Sequence, residues 1–208
     1  KTKESHVEWI GKIPREWRIE PLFSIANEKN KKNTQNKVTN VLSLSYGRII
    51  RRDVENNFGL LPESFSTYQI VDDGDIILRL TDLQNDKRSL RVGLVKELGI
   101  ITSAYVCLRT KKDMIPTYLY YLLHTYDVEK VFYSLGAGVR QTMKFADLKR
   151  MPVILPPIEE QKEIVEYIIK ETVKIDNAIN KVEESIRLLK EYKASLISHV
   201  ATGKINVT

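Results

Sequence analysis

The sequence predicts a mixed α+β protein. A globular part with a β-rich core and flanking helices fills residues 1–155, and one long coiled-coil-forming α-helix fills residues 156–208. Three observations carry this reading. Short aliphatic runs bounded by Gly, Asp and Ser recur through the first part, as strands and turns require. No Pro or Gly interrupts the chain between Pro157 and Gly203. Within that uninterrupted stretch the apolar residues recur at heptad spacing.

The elements follow in order. Residues 41–47 (Val-Leu-Ser-Leu-Ser-Tyr-Gly) read as a strand ending at a turn. Residues 68–78 read as strand, tight turn, strand, with Gly74 supplying a positive φ. Residues 92–95 and 103–108 read as further strands. Pro116 opens a helix over 117–135, with Leu119, Leu122, Leu123, Val131, Phe132 and Leu135 on its inner face. That helix holds five of the ten tyrosines, and this spacing suits packing better than a base-stacking platform. Residues 153–155 form a last strand leading into the long helix. There Pro156, Pro157, Glu159 and Glu160 mark the start, with the acids complementing the helix dipole.

In the long helix Val165, Thr172, Ile179, Ile186, Lys193 and Val200 take the a positions, and Ile168, Ile175, Val182, Leu189 and Leu196 the d positions. Nine of these eleven are apolar, which makes a narrow seam of the kind two long helices share. Thr172 and Lys193 interrupt it and fix register or orientation. The helix is too long for a small domain to cover, so its partner is another copy or another part of a longer protein.

With 208 residues, 42% hydrophobic and 29% charged, the chain can bury a core, which excludes wholesale disorder. The single cysteine, Cys107, excludes an intrachain disulfide framework and suits a reducing cytosol. No apolar run reaches the ~18 residues a membrane span needs, and no signal-peptide pattern opens the chain. The chain begins with Lys rather than Met, which fits a trimmed product or a piece of a longer protein.

The net charge of +6 is unevenly placed. Residues 1–157 hold 25 basic and 18 acidic residues, and residues 158–208 hold 8 and 9, so all the excess lies in the globular part. Lys29, Lys31, Lys32, Lys37, Arg48, Arg51 and Arg52 follow one another without an acid. So do Lys87, Arg88, Arg91 and Lys96. Such segments suit a polyanion, because neutralising phosphates releases counterions. The candidate nucleic-acid contacts are Tyr46, Arg48, Arg51, Arg52, Lys87, Arg88, Arg91, Arg140, Gln141 and Lys144. Arg and Gln can pair bidentately with guanine and adenine.

Catalytic signatures are missing. His6, His124 and His199 are isolated and offer no metal-ligand spacing. There is no phosphate-binding Gly-x-x-x-x-Gly-Lys-Ser/Thr loop, no glycine-rich methyl-donor loop and no Asn/Asp-Pro-Pro-aromatic motif. Asp147 followed by Glu160-Gln161-Lys162 loosely matches a nuclease metal site, but here Glu-x-Lys opens a helix instead of lying on a strand. Asp72, Asp73 and Asp75 form a turn cluster whose calcium reading is weak.

Several motifs together resemble one family. They are Val7-Glu8-Trp9-Ile10-Gly11-Lys12-Ile13-Pro14-Arg15-Glu16-Trp17, Gly74-Asp75-Ile76-Ile77, Gly99-Ile100-Ile101-Thr102-Ser103-Ala104-Tyr105 and Gly138-Val139-Arg140-Gln141-Thr142. The most specific is Asp147-Leu148-Lys149-Arg150-Met151-Pro152-Val153-Ile154-Leu155-Pro156-Pro157-Ile158-Glu159-Glu160-Gln161, and Leu196-Ile197-Ser198-His199-Val200-Ala201-Thr202-Gly203-Lys204-Ile205 closes the set. The chain resembles the specificity (S) subunits of type I restriction-modification systems, over essentially its whole length.

The resemblance implies a target recognition domain over 1–155 and a conserved spacer and dimerisation helix with a short tail over 156–208. Family members typically contain two such units and read a split double-stranded DNA target. This chain has one, so it is either a half-sized subunit that homodimerises or half of a full-length one. The resemblance also implies docking of methyltransferase (M) and restriction (R) subunits in a prokaryotic cytoplasm, with no membrane partner. This chain would be non-catalytic and carry no cofactor or metal. S-adenosylmethionine, ATP and Mg would be held by the partner subunits. In the family, the motif around Arg140 and Gln141 leans towards backbone contact or structural support. Two other readings stand beside this one. One is a coiled-coil assembly module without its own DNA role. The other is a target recognition fragment of a stand-alone DNA methyltransferase or nuclease.

Overall fold

The computed structural model describes residues 1–52, 64–83, 90–135 and 142–205. In chain order the elements are β1 (Thr2–Glu4), β2 (Lys12–Pro14), β3 (Arg18–Pro21), α1 (Leu22–Ile25), β4 (Ala26–Glu28), β5 (Leu42–Ser45), β6 (Arg48–Arg51) and β7 (Gln69–Val71). They continue with β8 (Ile76–Leu78), β9 (Val92–Leu94), β10 (Gly99–Ile101), β11 (Val106–Thr110), α2 (Pro116–Val128), α3 (Val131–Leu135), α4 (Phe145–Leu148), β12 (Pro152–Leu155) and α5 (Ile158–Ala201). The mixed fold read from the sequence is the fold observed: small antiparallel sheets, short helices and a long C-terminal helix. The chain divides into two compact units, Lys1–Lys162 and Glu163–Thr208.

The first unit is built on an antiparallel sheet in the order β4-β11-β8-β9. Ile76, Ile77 and Leu78 on β8 are all fully buried, which explains why that strand is a continuous apolar run without alternation. Ile77 and Cys107 from this sheet meet Leu42 and Leu44 of β5, with Val71, Val95 and Ile101, in one hydrophobic cluster. β5 and β10 approach closely through Gly99. A Cβ there would lie 2.6 Å from Leu42 Cδ1 and 2.8 Å from the Asn40 carbonyl oxygen, so only glycine fits.

Residues 68–78 form the strand, tight turn and strand read from the sequence, but the two strands do not pair with each other: β7 pairs with β10, whereas β8 pairs with β11 and β9. Gly74 does take a positive φ of 82°, but its N–H donates to Val95, and the turn carries the chain between sheets. The helix expected over 117–135 is two, α2 and α3, broken where Lys130 takes a φ of 62°. The strand expected from Ser103 begins at Val106, because the Tyr105 N–H turns back to the Thr102 carbonyl.

The start of α5 is pinned inside the first unit. Gln161 is fully buried. Its Oε1 accepts the Ile115 N–H at 2.9 Å, and its Nε2 donates to the Asp113 and Pro156 carbonyls at 3.0 and 2.9 Å. The Trp17 indole N–H donates to Glu160 at 2.7 Å. The far end stops at Gly203, whose φ is 70°. The Gly203 N–H reaches Val200 and the Lys204 N–H reaches His199, so the last carbonyls are satisfied by a left-handed cap. The intervening 44 residues rise about 66 Å at 1.5 Å per residue.

Candidate nucleic-acid interface

The β5–β6 hairpin brings four of the candidate contacts together. Leu42 and Leu44 point into the core and Ser43 and Ser45 lie on the other face, which sets the register of Leu42 opposite Arg51 and Ser45 opposite Arg48. The turn is Tyr46-Gly47, with φ of 45° and 75°. Left-handed conformation at both central residues is the two-residue turn whose twist matches paired strands. Gly47 suits it, and a Cβ there would meet Leu90 Cβ at 3.1 Å. Tyr46 does not suit it: a bulky side chain in this region is strained, and it stands 80% exposed at the tip. The Tyr120 hydroxyl on α2 donates to the Gly47 carbonyl at 3.4 Å and braces the turn. Burial pushes the Tyr120 phenol up, Tyr121 adds to this, and the nearby charge of Arg48 works in the opposite direction.

Arg48 is exposed beside the tip. Arg51, at the other end of β6, is also exposed, and its Nε donates to both carboxylate oxygens of Glu97 at 2.9 Å. Hydrogen bonds from Arg51 hold the Glu97 carboxyl below its usual range. Arg52 is half-buried. Its N–H donates to the Val41 carbonyl at 2.8 Å, and its side chain lines a small cleft with Tyr68 and Tyr105. Lys144 is exposed apart from this group, just before α4, where its N–H donates to Asp147 at 2.9 Å.

Arg91 is a correction. Its relative exposure is 0%, so it presents nothing to a ligand. Its Nη1 donates to the Arg79 and Thr81 carbonyls at 3.1 and 2.7 Å, and its Nη2 to the Asp82 carbonyl at 3.1 Å. Nε reaches the Tyr133 hydroxyl at 3.2 Å, and the guanidinium sits 5.7 Å from the Tyr133 ring centre. A charged residue in an acid-free run reads as surface from sequence, and only the carbonyls that surround it show otherwise. Lys87, Arg88, Arg140 and Gln141 lie outside the described residues.

The Asp72–Asp75 turn is an ion-pair node. Lys29 Nζ lies 2.7 Å from Asp72 and 2.5 Å from the fully buried Asp75. Arg109 bonds Asp75 through Nε and lies 3.4 Å from Asp72. The Lys29 hydrogen bond holds the Asp72 carboxyl below its usual range. Beneath this node Cys107 is buried, and burial, reinforced by the charge of Asp75, pushes its thiol up to about 12.

The nuclease-like residues have other work. Asp147 caps α4, Glu160 receives Trp17, and Lys162 pairs with Glu159 at 2.8 Å. Among the described residues no group of three His, Cys, Asp or Glu side chains could hold a metal, and no helix is long and apolar enough to cross a membrane.

On α5 the seam runs from buried to bare. Val165 is buried and Ile168 half-buried, while Thr172, Ile175, Ile179, Val182, Ile186, Leu189, Lys193 and Leu196 are exposed and Val200 is half-buried. The ion pairs Lys174–Glu171 and Arg187 with Glu184 and Glu191 lie off this row, so the apolar row is uninterrupted by them.

Comparison with known proteins gives the family. The model for the type I restriction modification DNA specificity domain matches residues 16–188. The chain is 24% identical over 207 residues to the putative type I restriction enzyme MjaX specificity subunit of Methanocaldococcus jannaschii, covering 93% of this chain and 47% of that protein. A chain from a structure on complex assembly and conformational transition of the type I R-M system aligns with a TM-score of 0.60 at 17% identity, covering 90% of this chain and 46% of that one. The S subunit of a type I restriction-modification system from M. genitalium aligns with a TM-score of 0.54 at 16% identity, covering 88% and 46%. These structures share the fold, and the chain spans about half the length of the curated relative. Because the family match runs through the first unit and most of α5, this chain belongs to the type I restriction-modification DNA specificity domain family.

Proposed function

We propose that this chain is a DNA-sequence-reading specificity unit of a type I restriction-modification enzyme, covering one half of a bipartite target. Residues 1–155 act as the target recognition domain, and residues 156–208 as the spacer and dimerisation helix with a short tail. The observation that carries this is the β5–β6 hairpin: an exposed Tyr46 and Arg48 at a braced tip, with Arg51 along the same strand, on a chain of this family. Arg51 exchanges the Glu97 carboxylate for a phosphate or guanine edge, both of which accept its two-pronged geometry. Arg52 and Lys144 add backbone contacts, and Lys87, Arg88, Arg140 and Gln141 stay candidates. Arg91 is withdrawn.

The bare seam of α5 supports a second helix, from another copy or from the other half of a longer subunit. A second copy gives a symmetric target, because protein and site symmetry correspond. The unit itself does no chemistry. Methyltransferase and restriction subunits supply it, with S-adenosylmethionine, ATP and Mg bound there, in the cytoplasm where the DNA lies. The deciding experiment is methylome mapping of cells expressing this chain with its cognate methyltransferase subunit. A bipartite methylated motif that disappears with Arg48→Ala supports the reading. A motif that is unchanged when this chain is removed sinks it. A palindromic motif indicates two copies, and an asymmetric one indicates a different second half.

A further inference from the structure

We propose that the loop between β4 and β5 forms a sequence-independent clamp for the DNA phosphate backbone, with Lys31 and Lys37 as its contact cations. This rests on the DNA-reading role above and adds a surface that the hairpin residues do not supply. The loop walls an open groove of about 440 Å³, whose lining includes Lys31, Lys32, Lys37, Asp72 and Leu98.

Three features make the groove fit a phosphodiester chain. The first is charge. Asp72 is the single acid in the lining, and Lys29 and Arg109 already neutralise it at 2.7 and 3.4 Å. Lys31 and Lys37 therefore line the groove without an opposing free carboxylate, whereas the Lys32 ammonium is held by the Ser103 hydroxyl and the Thr67 carbonyl at 2.5 and 3.3 Å. The second is rigidity. Asn33 is only 2% exposed, and its side chain closes the loop on itself, accepting the Val38 N–H at 3.2 Å and donating to the Val38 carbonyl at 2.9 Å. The Asn33 N–H also reaches Tyr68, and the Ile70 N–H reaches the Lys31 carbonyl at 2.7 Å. The loop backbone is thus set before a ligand arrives, which lowers the ordering cost of binding.

The third feature is continuity with the hairpin. Leu98 lines the groove, Asn40 donates to the Leu98 carbonyl at 2.8 Å and to Glu97 at 3.3 Å, and Glu97 takes the Arg51 fork. The groove is therefore joined through Leu98, Asn40 and Glu97 to Arg51 at the end of the hairpin. Lysine offers a point charge without bidentate geometry, which suits a phosphate at any sequence and not a base edge.

The test uses the full chain and 30-bp duplexes of two unrelated sequences, with affinity followed by fluorescence anisotropy over a salt series. Each lost phosphate contact lowers the salt slope by about 0.9. The Lys31→Gln/Lys37→Gln variant is expected to lose about 1.8 from the slope and to weaken equally on both sequences, with an unchanged melting temperature. Lys31→Arg/Lys37→Arg keeps the slope, and Lys174→Gln/Lys181→Gln, which removes the same charge from α5, leaves it as in the parent. A slope unmoved by the groove pair overturns the clamp, as does an equal fall in the α5 control. If Arg48→Ala weakens binding and the groove pair does not, the clamp fails while the DNA-reading role stands. If the parent chain shows no salt-dependent duplex binding, both fail.

Discussion

Burial of the Arg91 guanidinium is sustained by the three carbonyls and the tyrosine that its donors reach. Removing it leaves those carbonyls unpaired in the interior, which costs far more than losing an exposed hydrogen bond. Arg91→Met is therefore expected to destabilise the fold by about 3 kcal/mol in urea titration, and Arg91→Lys to recover only part of it, because an ammonium cannot span three separated acceptors. Asp72 behaves differently because it is half-exposed. Its folded pKa is depressed, mainly by the hydrogen bond from Lys29. Its contribution is present above the unfolded value of about 4 and is lost as pH falls through the lower folded value. The stability gap between the parent and Asp72→Asn should be constant near neutrality and close under acid, and a gap that persists there would contradict the ion-pair account. Cys107, with its thiol pushed up to about 12, should resist alkylation at pH 8 until denaturant is added.

At the scale of the element, the β5–β6 turn separates folding from binding. Tyr46 pays conformational strain that glycine would not. Tyr46→Gly should raise stability by about 1 kcal/mol while weakening DNA binding, two effects of opposite sign that thermal melting and duplex titration can resolve. Much of this element was legible in advance: the alternation of 41–45 gave the strand, and Gly47 gave its end. What was not legible was pairing. Residues 68–78 carry every local mark of a hairpin, yet β7 and β8 join different sheets, because strand choice is decided by cross-chain packing that no local pattern encodes. Arg91 was hidden for the same reason, since a charge looks solvated until its acceptors are known. Lys31 and Lys37 were visible as part of a basic run, but nothing in the sequence showed that Asn33 folds the loop that carries them into a groove.

At the scale of the whole molecule, α5 exposes an apolar row whose heptad spacing suits a second helix. If that helix belongs to another copy, Ile179→Asp/Ile186→Asp should turn a dimer into a monomer by light scattering and leave the first unit folded by circular dichroism. A parent chain that is already monomeric places the second helix elsewhere in a longer subunit. Ile179 and Ile186 are both exposed, and the bonds that hold Gln161 to Ile115, Asp113 and Pro156 lie within the first unit itself, so the two substitutions remove no contact on which that unit depends.

The β5–β6 ladder has a consequence for how such a protein changes over generations. Its inward row, Leu42 and Leu44 with Ile49, is locked into the core, while Ser43, Ser45, Arg48 and Ile50 stand on the outward row. The period of two that builds the strands thus sorts the positions into those that mutation breaks and those that mutation merely rewrites. A library randomised on the outward row alone should yield folded chains with shifted DNA preferences, so new targets can be acquired without rebuilding the scaffold that displays them.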